Sequence, residues 1–288
     1  MSTSSAEDLL KNAEKKASAS GGWFSSAQSK LEEAVELFKA AANKFRIQNR
    51  FEEAGNAFMR AAETEVKVGE KDYAANTFFE ANKCFKMSRP ELAVVALTRA
   101  REILIERGRF RQAADREKAI AELYKTDAAD PEKALEAYEQ AAQWYTQEGA
   151  SATASGCWRE AAQIATDLGR FPQAIERWEQ VAAMSLESNL TRYSVKDYYL
   201  NAGLCYLAIP DYVAAGRAMG YYAQQDPTFP PTMEGRFLHS LLEAAEAGDL
   251  AVFDSRVQEY DRTKKVLGWQ ASLLRQVRKG IQDEPDLS

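Results

Sequence analysis

Small apolar residues recur about every twenty residues through most of this chain. Each is followed four residues later, in most copies, by a bulky side chain, and three residues after that by a small or apolar one. Offsets of four and three place these residues on one face of a helix, so each unit is predicted to hold one helix and one short turn. The recurring small positions are Ala34, Ala54, Ala74, Ala93, Ala113, Ala134, Ala154, Ala174, Ser194 and Ala214.

The side chains that follow these positions complete the predicted packing face. The bulky ones are Phe38, Phe58, Phe78, Leu97, Tyr138, Trp158, Trp178 and Tyr198, and the next ones are Ala41, Ala61, Ala81, Ala100, Ile120, Ala141, Ala161 and Val181. Small residues let neighbouring helices approach closely, and large ones fill the gaps between them. The pattern predicts an all-α fold, a right-handed tetratricopeptide-like solenoid of helical hairpins.

Glycine and proline mark the predicted boundaries of the units. Glycine is expected at helix ends, where a left-handed residue is least costly without a Cβ, and proline at helix starts, where its missing N–H is not needed. Asp130 is predicted to cap the helix that begins at Pro131. The boundary residues are Gly69, Gly108, Gly149 and Gly169 at helix ends, and Pro90, Pro131 and Pro172 at or next to helix starts.

The repeat pattern fades after Ala218, and the proline-containing stretch 226–231 marks a break. Three further helices are predicted at about 232–247, 249–264 and 267–282. A solenoid needs a cap to cover its last apolar face, and these helices are predicted to form a C-terminal helical bundle that supplies it.

Four regions are therefore predicted along the chain. They are residues 1–30, an N-terminal helix at about 6–19 and a loop; 31–228, the solenoid; 229–282, the C-terminal bundle; and 283–288, an acidic tail.

Composition and charge narrow the class of protein. Apolar residues make up 45% of the 288 residues and charged residues 28%, as expected of a folded soluble chain. No apolar run approaches the roughly 20 residues that a membrane span needs, and the start of the chain lacks a secretory signal region. Three widely spaced cysteines, Cys84, Cys157 and Cys205, are predicted to be reduced and packed, which favours a cytoplasmic protein.

Residues that could carry catalysis are nearly absent. The single histidine, His239, is predicted to lie on the apolar side of a bundle helix, as a core or helix-surface residue and not a catalytic base. One histidine also excludes HExxH-type zinc sites. No glycine-rich phosphate loop is present, and the formal charge of −6 disfavours nucleic-acid binding. We therefore predict a helical-repeat binding protein that is not an enzyme and takes no cofactor or metal.

Two segments fall outside the repeat scheme. The loop 20–26 carries Trp23 and Phe24 among glycines and serines, so the two rings either insert weakly into a lipid interface or cap the first helix pair. The last residues, 282–288, hold three carboxylates and one leucine. Such a tail either solvates the chain or docks on a basic partner.

At this point the residues carry a resemblance. The chain is similar throughout to the alpha-SNAP family, soluble attachment proteins that link SNARE complexes to an NSF-type AAA ATPase. The gamma type of the family is an alternative. The most specific stretches are AGNAF (54–58), GRF (108–110), AIAELY (119–124), EKALEAYEQAAQWY (132–145), YSVKDYYLNAGLC (193–205), LLEAAEAGD (241–249), EYD (259–261) and GWQASLLRQVRKGIQ (268–282).

The resemblance implies roles for both unusual segments. Trp23 and Phe24 occupy the place of the family's membrane-touching loop, and Leu287 matches the penultimate leucine implicated in stimulating the ATPase. Weak single contacts with the membrane would then act multivalently when several copies surround one SNARE bundle. The acidic residues similar to those that meet the ATPase are Asp211, Glu243, Glu246, Asp283, Glu284 and Asp286.

The resemblance also implies a basic surface that faces the SNARE four-helix complex. Two positions depart from the family, because Asp115 and Gly156 stand where relatives commonly carry lysines. Neighbouring arginines are then expected to supply the charge. The predicted SNARE-binding residues are Lys86, Arg109, Arg111, Arg116, Arg159, Arg192 and Lys196.

The expected function is that of an adaptor, cytoplasmic and peripheral on membranes, which serves ATP-driven SNARE disassembly. Two other classes stay open. One is a different tetratricopeptide-type scaffold, for example a chaperone adaptor that clamps peptide termini. The other is an enzyme with a site on the concave face, which the lack of a nucleophile–base pair disfavours.

Overall fold

The structure is a computed structural model that describes residues 5–19, 27–209 and 211–283. All regular elements in these ranges are helical: fourteen α-helices and one turn of 3₁₀ helix. The chain forms two compact units, divided between Ala150 and Ser151. The predicted all-α class built from helical hairpins is confirmed. The proposed division into four regions stays a prediction.

The first unit contains seven helices joined by short turns. Helices that are consecutive in sequence pack against each other as hairpins. They are α1 (Ala6–Ser18), α2 (Ala27–Ile47), α3 (Phe51–Val68), α4 (Lys71–Phe85), α5 (Pro90–Glu106), α6 (Phe110–Thr126) and α7 (Pro131–Gln147).

Alternate helices of this unit also lie side by side. Arg46 of α2 forms an ion pair with Glu80 of α4 at 3.2 Å. On the other flank of α4, the Arg116 guanidinium of α6 lies 3.7 Å from the centroid of the Phe79 ring. Helices α2, α4 and α6 therefore form one layer.

The second unit contains the other seven helices. The three predicted bundle helices are present within one or two residues of their expected bounds. The elements are α8 (Ser151–Asp167), α9 (Phe171–Leu186), the 3₁₀ turn Arg192–Ser194, α10 (Val195–Leu207), α11 (Tyr212–Gln225), α12 (Met233–Glu246), α13 (Leu250–Thr263) and α14 (Gly268–Asp283).

The predicted packing face is confirmed up to α9. Every repeat alanine from Ala34 to Ala174 is fully buried. The last two units are shifted by one residue, since Val195 and Ala215 are buried where the pattern predicted Ser194 and Ala214. The longer connection between α9 and α10, residues 187–194, explains the change of register.

The turn residues behave as their chemistry predicts. Gly69, which ends α3, has φ of 95°, and the other three predicted boundary glycines also have positive φ. The Asp130 side chain accepts a hydrogen bond from the Lys133 backbone N–H at 3.1 Å, and Pro131 occupies the first position of α7. Both predictions are confirmed.

The cysteines and the histidine have different outcomes. All three cysteines are free and buried, as predicted. Burial raises the pKa of the Cys84 thiol, and it raises that of Cys205 to about 12. The predicted position of His239 on the apolar side of its helix was wrong, and of the two alternatives, core or helix surface, the structure shows the helix surface. Its side chain is exposed and lies 3.3 Å from Glu243, because it falls on the outer face of α12.

Candidate partner-binding surfaces

The start of α6 carries two of the predicted SNARE-binding arginines. Arg109 is the N-cap residue, and its guanidinium lies 3.1 Å from the Asp72 carboxylate at the start of α4. Asp72 also pairs with Arg107 at 3.3 Å. Arg111 lies in the first turn and is exposed. The charge of Arg109 is therefore partly engaged, and that of Arg111 faces solvent.

Lys86 lies at the opposite end of the same layer. It is the exposed C-cap residue of α4. At 1.5 Å per residue, the length of α4 puts it about 20 Å from Asp72 and hence from Arg109. The structure does not gather the predicted basic residues of the first unit into one cluster. It distributes them along the layer.

Arg116 lies between these two ends and is half-buried. Its guanidinium covers the Phe79 ring, and its Nε is buried without a hydrogen-bond partner. Burial lowers the pKa of Arg116, while the adjacent Asp115 carboxylate opposes that shift. An arginine stays charged under such conditions. Arg116 is thus a fixed, oriented charge in the groove between α4 and α6.

Asp115 is one of the two departures from the family pattern. The Tyr145 hydroxyl of α7 donates a hydrogen bond to its carboxylate at 2.5 Å. Tyr145 is itself buried. The carboxylate therefore ties α6 to α7 and does not reproduce the role of a free lysine.

Helix α8 carries the second departure, Gly156, three residues before Arg159. No atom lies within 4 Å of a Cβ built on Gly156, so the position is open. Arg159 is exposed and forms no ion pair with another described residue. The spacing of three places both on one helix face, so the Arg159 charge occupies the neighbourhood of the missing lysine.

The remaining basic candidates, Arg192 and Lys196, are held by intramolecular contacts. Arg192 donates a hydrogen bond to the Leu186 carbonyl at 2.9 Å. The Lys196 Nζ lies 3.4 Å from the Glu234 carboxylate, whose side chain is only 2% exposed. Lys196 therefore helps to join α10 to α12, and part of its charge is already neutralised.

Lys264 completes this ion-pair group around the buried Glu234. It pairs with Glu234 at 2.6 Å and also with Asp197. Burial alone would raise the pKa of Glu234, but the hydrogen bond from Lys264 and the nearby cations hold it below its ordinary value. Burial opposes the charged form of Lys264, yet its two carboxylate partners raise its pKa. Glu234 and Lys264 are therefore both ionised at neutral pH.

Neither Lys264 nor Glu234 was among the site residues predicted from the sequence. Lys264 lies 30 residues from Glu234 and 67 residues from Asp197 along the chain, so no local spacing indicates these contacts. The one signal along the sequence is that Glu234 lies one helical turn before the apolar Leu238, which is buried on α12.

The acidic candidates divide in a similar way. Asp211 is the N-cap of α11 and accepts a hydrogen bond from the Ala214 backbone N–H at 2.9 Å. Glu243 and Glu246 are exposed on the last turns of α12. Asp283 is the last residue of α14.

Five of the predicted site residues cannot be placed. Trp23 and Phe24, and likewise Glu284, Asp286 and Leu287, lie outside the described residues.

The described ranges contain no candidate metal site. No three His, Cys, Asp or Glu side chains within them come together so that they could hold a metal ion. Among the helices that the structure describes, none has the length and apolar character needed to cross a bilayer.

Comparison with known proteins identifies relatives over nearly the whole length. The vesicular-fusion protein SEC17 of Coprinopsis cinerea is 46% identical, and the match covers 99% of each chain. The human alpha-soluble NSF attachment protein is 37% identical over 97% of this chain and 96% of its own. The alpha-soluble NSF attachment protein of Saccharomyces cerevisiae is 34% identical over 97% of each.

The family model described as "Soluble NSF attachment protein, SNAP" matches residues 4–282. This range includes the repeat helices, the three C-terminal helices and the departures at Asp115 and Gly156. The chain belongs to the soluble NSF attachment protein family.

Proposed function

We propose that this chain is an adaptor that binds SNARE complexes and recruits and stimulates an NSF-type AAA ATPase, which then disassembles them in vesicle fusion and membrane traffic. The observation that carries the proposal is the family match over residues 4–282, together with relatives named for vesicular fusion and NSF attachment. The chain itself has no enzymatic activity in this proposal, in keeping with that family.

The basic side chains that are free to meet an acidic helical bundle support the SNARE contact. Arg111, Arg159 and Lys86 are exposed, and Arg116 is fixed on an aromatic ring with its charge retained. Arg109, Arg192 and Lys196 contribute less, because each is engaged within the chain. Exposed ion pairs contribute about 0.2–1 kcal/mol each, so the interface is distributed and sensitive to salt.

The ATPase contact is proposed for the acidic residues near the C-terminus. Glu243 and Glu246 present two carboxylates on neighbouring exposed turns of α12. The tail adds Asp283, Glu284, Asp286 and Leu287. Asp211 acts mainly as a helix cap, because its carboxylate accepts the hydrogen bond from the Ala214 backbone N–H.

A weak membrane contact is proposed for Trp23 and Phe24. Burial of two aromatic side chains contributes roughly 3–6 kcal/mol at best, which alone gives a dissociation constant between about 6 mM and about 40 μM. The protein is then cytoplasmic and only peripheral on membranes.

Replacing both Trp23 and Phe24 with serine should slow disassembly of membrane-anchored complexes much more than of soluble ones. Equal slowing of both would point to a role in folding.

A recruitment experiment tests the adaptor role. Immobilised SNARE complexes are incubated with the ATPase and a non-hydrolysable ATP analogue, with and without this protein. We expect the ATPase to be retained only when the protein is present. If the protein binds neither component although it is folded, another kind of tetratricopeptide-type scaffold becomes the better description.

A further inference from the structure

A groove of about 210 Å³ lies in the first unit between α2, the end of α3 and the start of α4. It belongs to the layer that carries Lys86 and Arg116, but its charge is of the opposite sign. Four carboxylates and one lysine line it, beside an exposed aromatic ring. These residues are Glu32, Glu36, Lys39, Glu65, Glu70 and Tyr73.

Glu65 gives the groove an unsatisfied polar atom. Its side chain is only 4% exposed, and its Oε1 pairs with the Lys39 Nζ at 2.6 Å. The second carboxylate oxygen, Oε2, is buried without a hydrogen-bond partner. A buried carboxylate oxygen without a donor leaves the charge of Glu65 only partly compensated, so Glu65 adds to the negative potential of the groove.

The other carboxylates strengthen the demand for a cation. Glu32 and Glu36 are exposed, and they lie four residues apart on one face of α2, where like charges repel each other. Neither they nor Glu70 forms an ion pair with another described residue. Among the described residues that line the groove, Lys39 is the one cation opposite four carboxylates.

Size and aromatic content indicate what kind of cation fits. The volume suits one long side chain and not a folded domain. Tyr73 is 62% exposed beside the carboxylates, and an aromatic face attracts an ammonium or guanidinium group. The apolar stem of such a side chain would pack on Val35 and Val68, which also line the groove. The chemistry is that of a lysine or arginine pocket.

The position of the groove indicates where that residue comes from. Segment 20–26, with Trp23 and Phe24, leads into α2 at Ala27, and Glu32 lies five residues further, about 8 Å along the helix. The Gln28 side chain also donates a hydrogen bond to the Val68 carbonyl, which joins the start of α2 to the end of α3 beside the groove. If the segment touches lipid, the groove faces the zone just above the headgroups.

Protein segments in that zone are basic. The cytoplasmic flanks of membrane anchors are enriched in lysine and arginine. An anionic leaflet would repel the carboxylates of the groove unless a bound cation neutralised them. We propose that this groove binds a lysine or arginine side chain from the segment that flanks the membrane anchor of a partner protein. This proposal rests on the membrane contact proposed above for Trp23 and Phe24. The groove would recognise the end of the partner protein that lies nearest the lipid.

Methyl NMR of the full chain tests the pocket directly. The probe is a short peptide of alternating lysine and serine, and the readouts are the methyl groups of Val35 and Val68. We expect saturable shifts with this peptide and none with a version that carries glutamine in place of lysine. Shifts that are absent, or equal with both peptides, would overturn the proposal.

Substitutions in the groove add a second criterion. Glu36→Gln should weaken peptide binding about 1.4- to 5-fold, the range of one exposed charge pair, and Glu65→Gln at least as much. Glu63→Gln is the matched control, since Glu63 is exposed on α3 outside the groove and its loss changes the net charge equally. Because Glu65→Gln could disturb folding, the surface variant Glu36→Gln decides. Equal affinity of Glu36→Gln and Glu63→Gln would contradict the site.

A disassembly arm separates this site from the proposed function. The double variant Glu32→Gln/Glu36→Gln should slow disassembly of complexes with lysine-flanked anchors and leave soluble complexes unaffected. If the wild-type protein supports no disassembly but still binds the peptide, the adaptor role fails and the pocket stands. If disassembly proceeds but every groove variant matches the wild type, the pocket fails and the adaptor role stands.

Discussion

The repeat helices α2–α6 and the helices α9–α14 are stabilised in different ways. In the first region the same small residue returns at each helix crossing, and the alanines at these positions are fully buried. In the second region the contacts are individual. Tyr199 stacks on Tyr222 with ring centroids 4.3 Å apart, and Phe237 stacks on Tyr260 at 4.0 Å.

Polar contacts show the same contrast. The ion pairs of the first region are mostly exposed, like Arg46–Glu80. Its two buried carboxylates, Glu65 and Glu117, each pair with a single cation, Lys39 and Arg101 respectively. The second region buries Glu234 beneath two lysines, and it buries the hydrogen bond from Gln270 to Asn201 at 2.8 Å. A repeated packing rule therefore builds the first region, whereas the second depends on pairs that occur once.

The largest effect is expected from removing a core aromatic residue in each region. Phe78→Ala and Trp178→Ala should each cost about 3–5 kcal/mol of unfolding free energy. Trp178→Ala should be the costlier, because Trp178 also stacks between Tyr198 at 6.1 Å and Trp269 at 5.8 Å. Urea unfolding measures both. A larger loss for Phe78→Ala would contradict the contrast between the regions.

The next largest effect is expected at a glycine that packs closely against backbone, compared with a glycine that has open space around it. A Cβ on Gly235 would lie 2.3 Å from the Phe229 carbonyl oxygen, which is backbone and cannot rotate away. Gly235→Ala should therefore destabilise the protein by about 2–4 kcal/mol. Gly156→Ala is the control, since its Cβ meets nothing within 4 Å, and it should be neutral or stabilising by up to about 1 kcal/mol. Thermal unfolding that ranks the two the other way would refute this assignment.

The ion-pair group around Glu234 gives a smaller effect that depends on pH. Glu234→Gln should cost about 1–2 kcal/mol at neutral pH, less than a fully buried pair because both lysines are partly exposed. The pKa of Glu234 is lowered by folding, so its contribution is present above the ordinary glutamate value of about 4.5 and is lost as pH falls through the lower folded value.

The measurement is urea unfolding of wild type and variant between pH 7 and pH 3. The two curves should converge as the pH falls. Glu80→Gln, which removes exposed pairs with Arg46 and Lys83, should cost at most about 1 kcal/mol in total at any pH. A pH-independent deficit for Glu234→Gln would show that its charge is not what stabilises the group.

The smallest expected effect concerns SNARE binding and separates free from engaged charges. Arg159→Ala should weaken binding to SNARE complexes by about 1.4- to 5-fold, without loss of stability. Lys196→Ala should affect unfolding instead, because Lys196 pairs with Glu234. Binding measured at two salt concentrations, together with urea unfolding, tests both. Equal binding losses for the two variants would mean that Lys196 also contacts the partner.

The sequence predicted the regular region well for a physical reason. A helix that repeats the same small–bulky–small face needs only local periodicity to be located, and the bounds of α2–α9 follow from it. The register failed by one residue at Val195, because a longer connection interrupted the period. The outer position of His239 was also missed, since bundle helices carry no repeat from which to read their faces.

The site was less predictable because side chains are engaged by distant partners. Spacing alone could not show that Lys196 pairs with Glu234 or that Asp115 accepts a hydrogen bond from Tyr145. The groove around Glu65 was missed for the same reason, since its lining comes from three helices. Exposure and charge of Arg111 and Arg159 were predictable, because each follows a local helix pattern.

Disassembly of purified SNARE complexes is the most direct test of the adaptor role. The complexes are incubated with the NSF-type ATPase and Mg-ATP, with and without this protein, and intact complex is followed over time. We predict disassembly only when the protein is added, and a reduced rate with Leu287→Ala although that variant still binds SNARE complexes. Absence of disassembly with a folded protein and an active ATPase would contradict the adaptor role.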